Sequence, residues 1–279
     1  MTSRHLPTRG RGPSLLLLRV VPLHLYAGRT HVILERALRV YKQSWLAVVS
    51  GFFEPLFYLL AMGRGLGALV GPIHVGNGVP ISYAAYIAPA LLATSAMNGA
   101  VLDSTNNVFF KMKFAKLYDG MLATSLGPVD VALGEIIWSL FRGGLYSSAF
   151  VLVLLALGLL SSWWALLAVP VALLVAFGFA AVGMAVTSYM KTFQHLEWVT
   201  VALLPMFLFS TTFYPLGVYP RPIQLVVECL PLYHAIELMR GLCLGLVTPS
   251  LFLHLVYFAV MMMVGVAVAS RRLERLLLR

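Results

Sequence analysis

FLFSTTFYPLGVYP, residues 207–220, closes an apolar run in an unusual way. Phe207, Phe209, Phe213 and Tyr214 crowd around Ser210, Thr211 and Thr212, and Pro215, Gly217 and Pro220 then break the chain. A helix that crosses a bilayer ordinarily runs out into a polar loop. Here a second apolar stretch follows instead, VYPRPIQLVVECLPLYHAIELMRGLCLG (218–245), cut by Pro220, Pro222, Pro231 and Gly241. Its helical halves are each too short to cross a hydrocarbon core of about 30 Å. Broken backbone at membrane depth is tolerated only where protein or a wet cavity satisfies it. The expectation is a helical hairpin that dips back into the outer leaflet after the fifth of six spans.

The rest of the chain supports a membrane reading. Of 279 residues, 60% are hydrophobic and only 11% charged, against about 25% charged in soluble domains. The mean hydropathy is +0.89. The apolar stretches are long and rich in Leu, Ala and Val, and ten-residue alternation typical of barrels is absent, so the expected class is all-α. Six spans are expected near 45–63, 83–103, 131–158, 164–188, 197–216 and 250–269. Pro170 in the fourth allows only a local kink. Residues 31–44 (HVILERALRVYKQS) place Ile33, Leu34, Ala37, Leu38 and Tyr41 opposite Glu35, Arg36, Arg39 and Lys42. That pattern suits an amphipathic helix in the headgroup plane. Residues 1–30 read as a basic disordered tail, and 31–279 as one transmembrane domain.

The formal charge of +10 is distributed as cytoplasmic flanks require, so it points to membrane topology rather than nucleic acid. With both termini inside, sixteen of twenty Lys and Arg fall on inner segments. Arg64, Arg221 and Arg240 fall outside, and Arg142 lies within the third span. Cys229 and Cys243 fit no metal spacing, and a disulfide and two free thiols both stay open.

Catalytic motifs are missing. No GxxxxGK[ST] loop and no HExxH helix occurs, and Gly63, Gly65 and Ala68 form a loose GxGxxA after a span rather than after a strand. Glu54, Glu135 and Arg142 are the intramembrane ionisable groups, with Glu135 and Arg142 seven residues apart on one helical face. They suit either a structural polar network or a transport relay. Asp103, Asp130 and Glu197 sit at span ends, where interfacial solvation accounts for them, and His195 lies on a solvated turn. In FFKMKFAKLYDGML (109–122), aromatic residues alternate with lysines. This is either a membrane-surface helix or a knob that docks into a partner. Small residues at Ala176, Ala180 and Gly183, and at Gly143, Gly144, Ser147 and Ser148, suit helix packing.

GFFEPLFYLLAMGRGLGALVG (51–71) resembles the first span and glycine turn of type-2 ABC exporter permeases. The nearest branch includes nodulation-factor (lipo-oligosaccharide) and daunorubicin-type drug exporters. FLFSTTFYPLGVYP with LPLYHAIELMRGLCLG (230–245) resembles that branch's fifth-span exit and external hairpin. The branch commonly reads Phe-Ser-Gly-Thr-Phe-Phe-Pro, then Leu-Pro, then an Arg. This chain departs from it with Thr211-Thr212 in place of Gly-Thr. The likeness covers about residues 28–270.

The resemblance implies a permease half without a nucleotide-binding domain, pairing as a dimer with two copies of a separate ATPase that binds ATP and Mg. No cofactor is implied in this chain. A coupling helix is implied over Phe110, Lys113, Phe114, Leu117, Tyr118 and Met121. A translocation path is implied from Tyr86, Met97 and Asn98 on the second span and Met206, Phe207, Phe209, Thr212 and Phe213 on the fifth, with Tyr214 and Pro215 at an outer gate. Aromatic anchoring at the interface accounts for some of the same residues. The expected function is export of an amphipathic molecule (lipo-oligosaccharide, glycolipid or hydrophobic drug) across the inner membrane. The rival readings are a proton-coupled carrier and an intramembrane lipid-modifying enzyme.

Overall fold

The computed structural model describes residues 28, 30–43, 53, 55–75, 78–113, 117–122, 124, 126 and 128–277. The tail 1–27, Glu54 and Phe114 lie outside the described residues, as does the first part of the expected first span.

Among the described residues the architecture is helical, apart from one small hairpin. Helix α1 (Thr30–Gln43) is followed by α2 (Pro55–Val70) and by strands β1 (Ile73–Val75) and β2 (Val79–Ile81). The strands pair antiparallel, with Ile73 opposite Ile81. Then come α3 (Tyr83–Lys113), α4 (Leu117–Leu122), α5 (Pro128–Ala156), α6 (Trp163–Thr187) and α7 (Gln194–Phe209). Two short helices follow, α8 (Arg221–Glu228) and α9 (Pro231–Leu244), and α10 (Ser250–Leu277) ends the described chain.

Among the described residues, four stretches are long and apolar enough to cross a membrane: Tyr83–Lys113, Gly134–Ala156, Trp163–Thr187 and Ser250–Ala269. The apolar helices α2 and α7 are shorter. At 1.5 Å per residue the 16 residues of α7 reach only about 24 Å.

Helix α6 is the central post, packed against α3, α5 and α10. Its small residues allow this. Ala172, Ala176 and Ala180 are all buried, and a Cβ at Gly183 would collide with Ser104 Oγ on α3. On the facing helices, a Cβ at Gly144 would come within 2.9 Å of Leu173, and one at Gly265 within 2.8 Å of the Ala181 backbone. Between apolar helices in lipid, close van der Waals approach replaces the hydrophobic driving force. Pro170 falls in the first α-helical turn after the 3-10 segment Trp163–Leu167, where a missing N–H costs least.

Several boundaries differ from expectation. The second span does not end near 103: α3 continues to Lys113 through a π-helical segment, Asp103–Asn107. A π segment displaces the backbone ladder, and here the Thr187 hydroxyl donates to Ser104 O (3.0 Å) as well as to Gly183 O (2.8 Å). The residues of the expected glycine turn after the first span are helical, forming a π segment (Ala61–Leu66) and one α turn up to Val70, with Gly71 at φ 73 closing it. Helix α7, the expected fifth span, stops at Phe209 rather than 216, and residues 210–215 form a bent, non-helical break.

Two acidic residues assigned to interfacial solvation are buried. Asp103 is 4% exposed and Asp130 0%, and Asp130 accepts a hydrogen bond from Thr30 Oγ1 at 3.2 Å. This contact, with Ile33 packed onto Gly134, docks α1 on the start of α5. One edge of the amphipathic helix therefore faces protein, while Leu38 stays exposed. Glu197 and His195 are exposed, as expected. Both cysteines are free thiols, Cys243 buried and Cys229 exposed.

Candidate functional site

The break after α7 is held from two sides. Ser210 donates its N–H to Met206 O (3.2 Å), and Thr211 then turns into the left-handed region at φ 61. Thr212 Oγ1 reaches back to Phe207 O at 2.7 Å and caps a carbonyl the ended helix leaves open. The Thr211 carbonyl points inward and accepts from Arg240 Nη2 at 2.9 Å and from Tyr86 Oη at 3.4 Å. Arg240 lies 4.0 Å over the Tyr86 ring and donates Nη1 to Glu237 at 2.7 Å. Tyr83 Oη makes a longer contact, 3.5 Å, to Phe213 O.

Arg240, counted among outer loop charges from the sequence, is thus buried at 5% exposure and clamps α9 to α3 and to the break. Protein groups thus take up the Ser210 and Thr211 N–H groups and the Thr211 carbonyl in the broken backbone, as an apolar surrounding requires.

Around α7 the packing is open: Leu196 is its one buried side chain. On one face lies a cleft of about 430 Å³ bordered by α2, α3, α5 and α7. Thr94, Ser95, Asn98, Arg142, Tyr146 and Thr200 give it a polar side, and Tyr58, Leu91, Leu203, Leu204 and Phe207 an apolar one. Tyr58 and Phe207 meet edge to face at 5.8 Å and also border a second cavity of about 570 Å³ towards the break. Phe209, Phe213, Tyr214 and Tyr219 make that outer cavity aromatic. Burial, followed by the neighbouring Tyr214, raises the Tyr219 phenol above its usual 10.0, so it stays neutral. On the opposite face of α7 a third cavity of about 520 Å³ lies against α6.

The residues named from sequence are divided by this geometry. Asn98 and Phe207 border the cleft, Phe207, Phe209, Phe213 and Tyr214 the outer cavity, and Met206 the third cavity. Tyr86, Met97 and Thr212 are buried in the chain's own packing and border none of these cavities, and Pro215 is half-buried beside the break. Sequence reasoning passed over Tyr58, Tyr146 and Thr200. Tyr58 and Tyr146 are polar-tipped residues within apolar runs, which was the available signal.

Between α3 and α5, two ion pairs form among the described residues. Arg142 Nη2 meets Asp103 Oδ1 at 2.6 Å, and Lys111 Nζ lies 2.7 and 2.9 Å from the Glu135 carboxylate oxygens. Glu135 and Arg142 do share one face of α5, but each is matched by a partner on α3. Two matched pairs are a helix-joining network. Glu54, the third group of the expected network or relay, lies outside the described residues.

At the other end of α3, Phe109 is buried with Met190 and Leu196, whereas Phe110 is 59% exposed and Lys113 exposed. Leu117 and Met121 on α4 are half-buried against Ile33, Val131, Ile136 and Ala185. Tyr118 falls within α4. The expected row of exposed aromatics is therefore corrected in part: Phe109 belongs to the core.

The profile of the ABC-2 type transporter membrane family matches residues 29–244. Among individual relatives, Nodulation protein J of Rhizobium leguminosarum bv. viciae is 32% identical over 248 residues, covering 86% of this chain and 93% of the relative. Nodulation protein J of Sinorhizobium fredii is 33% identical over 245 residues, covering 86% and 92%. Nodulation protein J of Rhizobium meliloti is 29% identical over 238 residues, covering 83% and 88%.

Proposed function

This chain belongs to the ABC-2 type transporter family of membrane proteins, and we propose that it exports an amphipathic lipid-linked saccharide by alternating movements of α7. The observation that carries the proposal is the setting of α7: one buried side chain, cavities on both faces, a polar cleft on one side and aromatic residues at its exit. Hydroxyl, amide and guanidinium groups suit a saccharide head, and the ring faces beyond Phe207 suit an acyl chain. Relatives named for nodulation support the lipo-oligosaccharide branch over drug efflux.

The chain acts as the membrane subunit, not as an enzyme. ATP and Mg are bound by two copies of a separate ATPase, and two permease chains pair around the path. The exposed Phe110 and Lys113, with Leu117, Tyr118 and Met121 on α4, form the coupling surface, and Phe114 completes it in sequence. ATPase closure presses on this surface. The force passes through Phe109 to the turn before α7 by way of Met190 and Leu196. The clamp formed by Arg240, Tyr86 and Thr211 fixes the outer end of α7, so the inner end swings about it. Tyr214 and Pro215 flank the outer constriction.

In this reading α2 and α7 count as the remaining two spans and bring the total to six. The pair α8 and α9 is the re-entrant hairpin, and both termini face the cytoplasm of a bacterial inner membrane.

The test is a Thr200→Trp variant, which fills the cleft from an exposed position. Co-reconstituted with its ATPase, it assembles normally but loses lipo-oligosaccharide-stimulated ATP hydrolysis by roughly tenfold or more, about 1.4 kcal/mol of binding. Unchanged stimulation in a stably assembled variant would overturn the assignment of the cleft.

A further inference from the structure

We propose that the groove between α6 and α7 is a binding site for one anionic membrane phospholipid, its acyl chain lying along α7 and its phosphate held by Arg272 and Lys191. This site lies on the face of α7 opposite the cleft and serves a structural ligand rather than the transported one.

The groove has a volume of about 520 Å³ and is walled by Val182 and Val186 of α6 and Trp198 and Ala202 of α7, with Met261 of α10 behind. It runs beside α7 from His195 to Met206. The eleven rises of 1.5 Å between them give about 16 Å, close to half of a hydrocarbon core of about 30 Å, and so to the depth of one leaflet. The lining is apolar almost throughout and opens to the outside at Val186, Trp198 and Ala202, all exposed. A dry slot of this shape in a bilayer is filled by an acyl chain, since water has no partners along it.

The two ends differ in charge. At the end formed by Tyr189, Met190 and His195, the Arg272 guanidinium lies 4.7 Å over the Tyr189 ring. Arg272 makes no ion pair among the described residues, and its Nε–H is buried with no hydrogen-bond partner. Lys191, exposed, follows Met190 directly, and Arg271 adds a further exposed cation. Glu197, exposed in the first turn of α7, borders a separate pocket with Asn106, Phe110 and Phe193 and forms no ion pair among the described residues. His195 is engaged locally, its Nδ1 2.7 Å from Thr192 Oγ1. The opposite end, at Met206 and Pro231, carries no charge.

A single anionic head attached to a long chain matches both ends. A basic pocket between spanning helices is the chemistry that selects anionic over zwitterionic headgroups. A zwitterionic lipid would bring its own cation to Arg272 and Lys191. A bound chain supports α7 on the side where α6 leaves it unpacked, and so sets the resting position of the helix.

The test uses the full chain, purified in mild detergent, stripped of lipid and mixed with micelles of palmitoyl-oleoyl phosphatidylglycerol or of phosphatidylcholine with the same chains. Lipid retained per chain after repurification is measured by mass spectrometry. The expected result is about one phosphatidylglycerol per chain, tenfold or more above phosphatidylcholine. Arg272→Gln combined with Lys191→Gln removes that preference, and Ala202→Trp, which fills the groove, removes retention with both cations in place. Equal retention of the two lipids, or phosphatidylglycerol retention unchanged in the charge variant, overturns the proposal. If Ala202→Trp fails to fold, the charge variant decides alone. The readout is lipid content rather than export, so its failure leaves the transport reading standing.

Discussion

The Arg240 guanidinium lies 4.0 Å above the ring of Tyr86 and donates to the same carbonyl, Thr211 O, that the Tyr86 hydroxyl approaches. Three segments far apart in sequence meet at one acceptor. Arg240→Ala removes the stacking and leaves that carbonyl with one long contact. It is expected to cost about 3 kcal/mol, in the range for loss of a buried charged partner. Arg240→Lys recovers little of it, because an ammonium cannot both stack and fork. Tyr86→Phe keeps the ring and loses about 1 kcal/mol or less. Thermal unfolding of the three purified variants checks the order; a Tyr86→Phe loss as large as that of Arg240→Ala contradicts the clamp.

Thr211 occupies a backbone conformation, φ 61, that favours glycine. Holding a non-glycine residue there costs about 1–3 kcal/mol. Thr211 Oγ1 is buried without a hydrogen-bond partner, so the hydroxyl offsets none of this. Thr211→Gly is therefore expected to match or exceed the parent in stability by about 1 kcal/mol, and Thr211→Val to fall below it. A clear loss in the glycine variant, measured by the unfolding midpoint, would count against the strain.

Glu135 is 6% exposed and bonded to Lys111. Removing one member of such a pair leaves a buried charge and costs about 3–5 kcal/mol, while replacing both with apolar groups is near neutral. Lys111→Met alone is thus expected to destabilise strongly, and Lys111→Met with Glu135→Leu to restore most of the loss. A double-mutant cycle reads this coupling. Export by the double variant, with no dependence on a pH gradient, separates a structural pair from a proton relay.

Phe110 is 59% exposed, next to the fully buried Phe109. Phe110→Ala is expected to leave the unfolding free energy within about 0.5 kcal/mol of the parent, as surface changes do, yet to weaken ATPase stimulation at least tenfold. Leu117→Ala, half-buried, is expected to lose both. Normal coupling in a stable Phe110→Ala chain removes that residue from the docking surface.

Much of the membrane character was legible because composition and hydropathy are averages over long stretches. The break at 210–215 was legible because Pro, Gly and clustered aromatics act locally. The partners of that break were not, since Arg240 reaches Thr211 across 29 residues and Tyr86 reaches Thr211 across 125. The ion pairs were hidden for the same reason: Lys111 and Glu135 are 24 apart and on different helices. The continuation of α3 past Asp103 was missed because a charged residue reads as a span end, whereas Arg142 neutralises it inside the bundle. Of the residues expected along a path, Asn98 and Phe207 border the cleft, whereas Tyr86 and Met97 are buried in the chain's own packing; facing inward looks the same in sequence for a cavity wall and a core residue.

The central claim is that this chain works with an ATPase supplied in trans. The direct measurement is purification of the tagged chain from its native membrane in a detergent that preserves such complexes, with mass spectrometry of what remains bound. The account predicts a stoichiometric ATPase subunit carrying a phosphate-binding loop, one copy per permease chain. A clean homo-oligomer without any ATPase would contradict it.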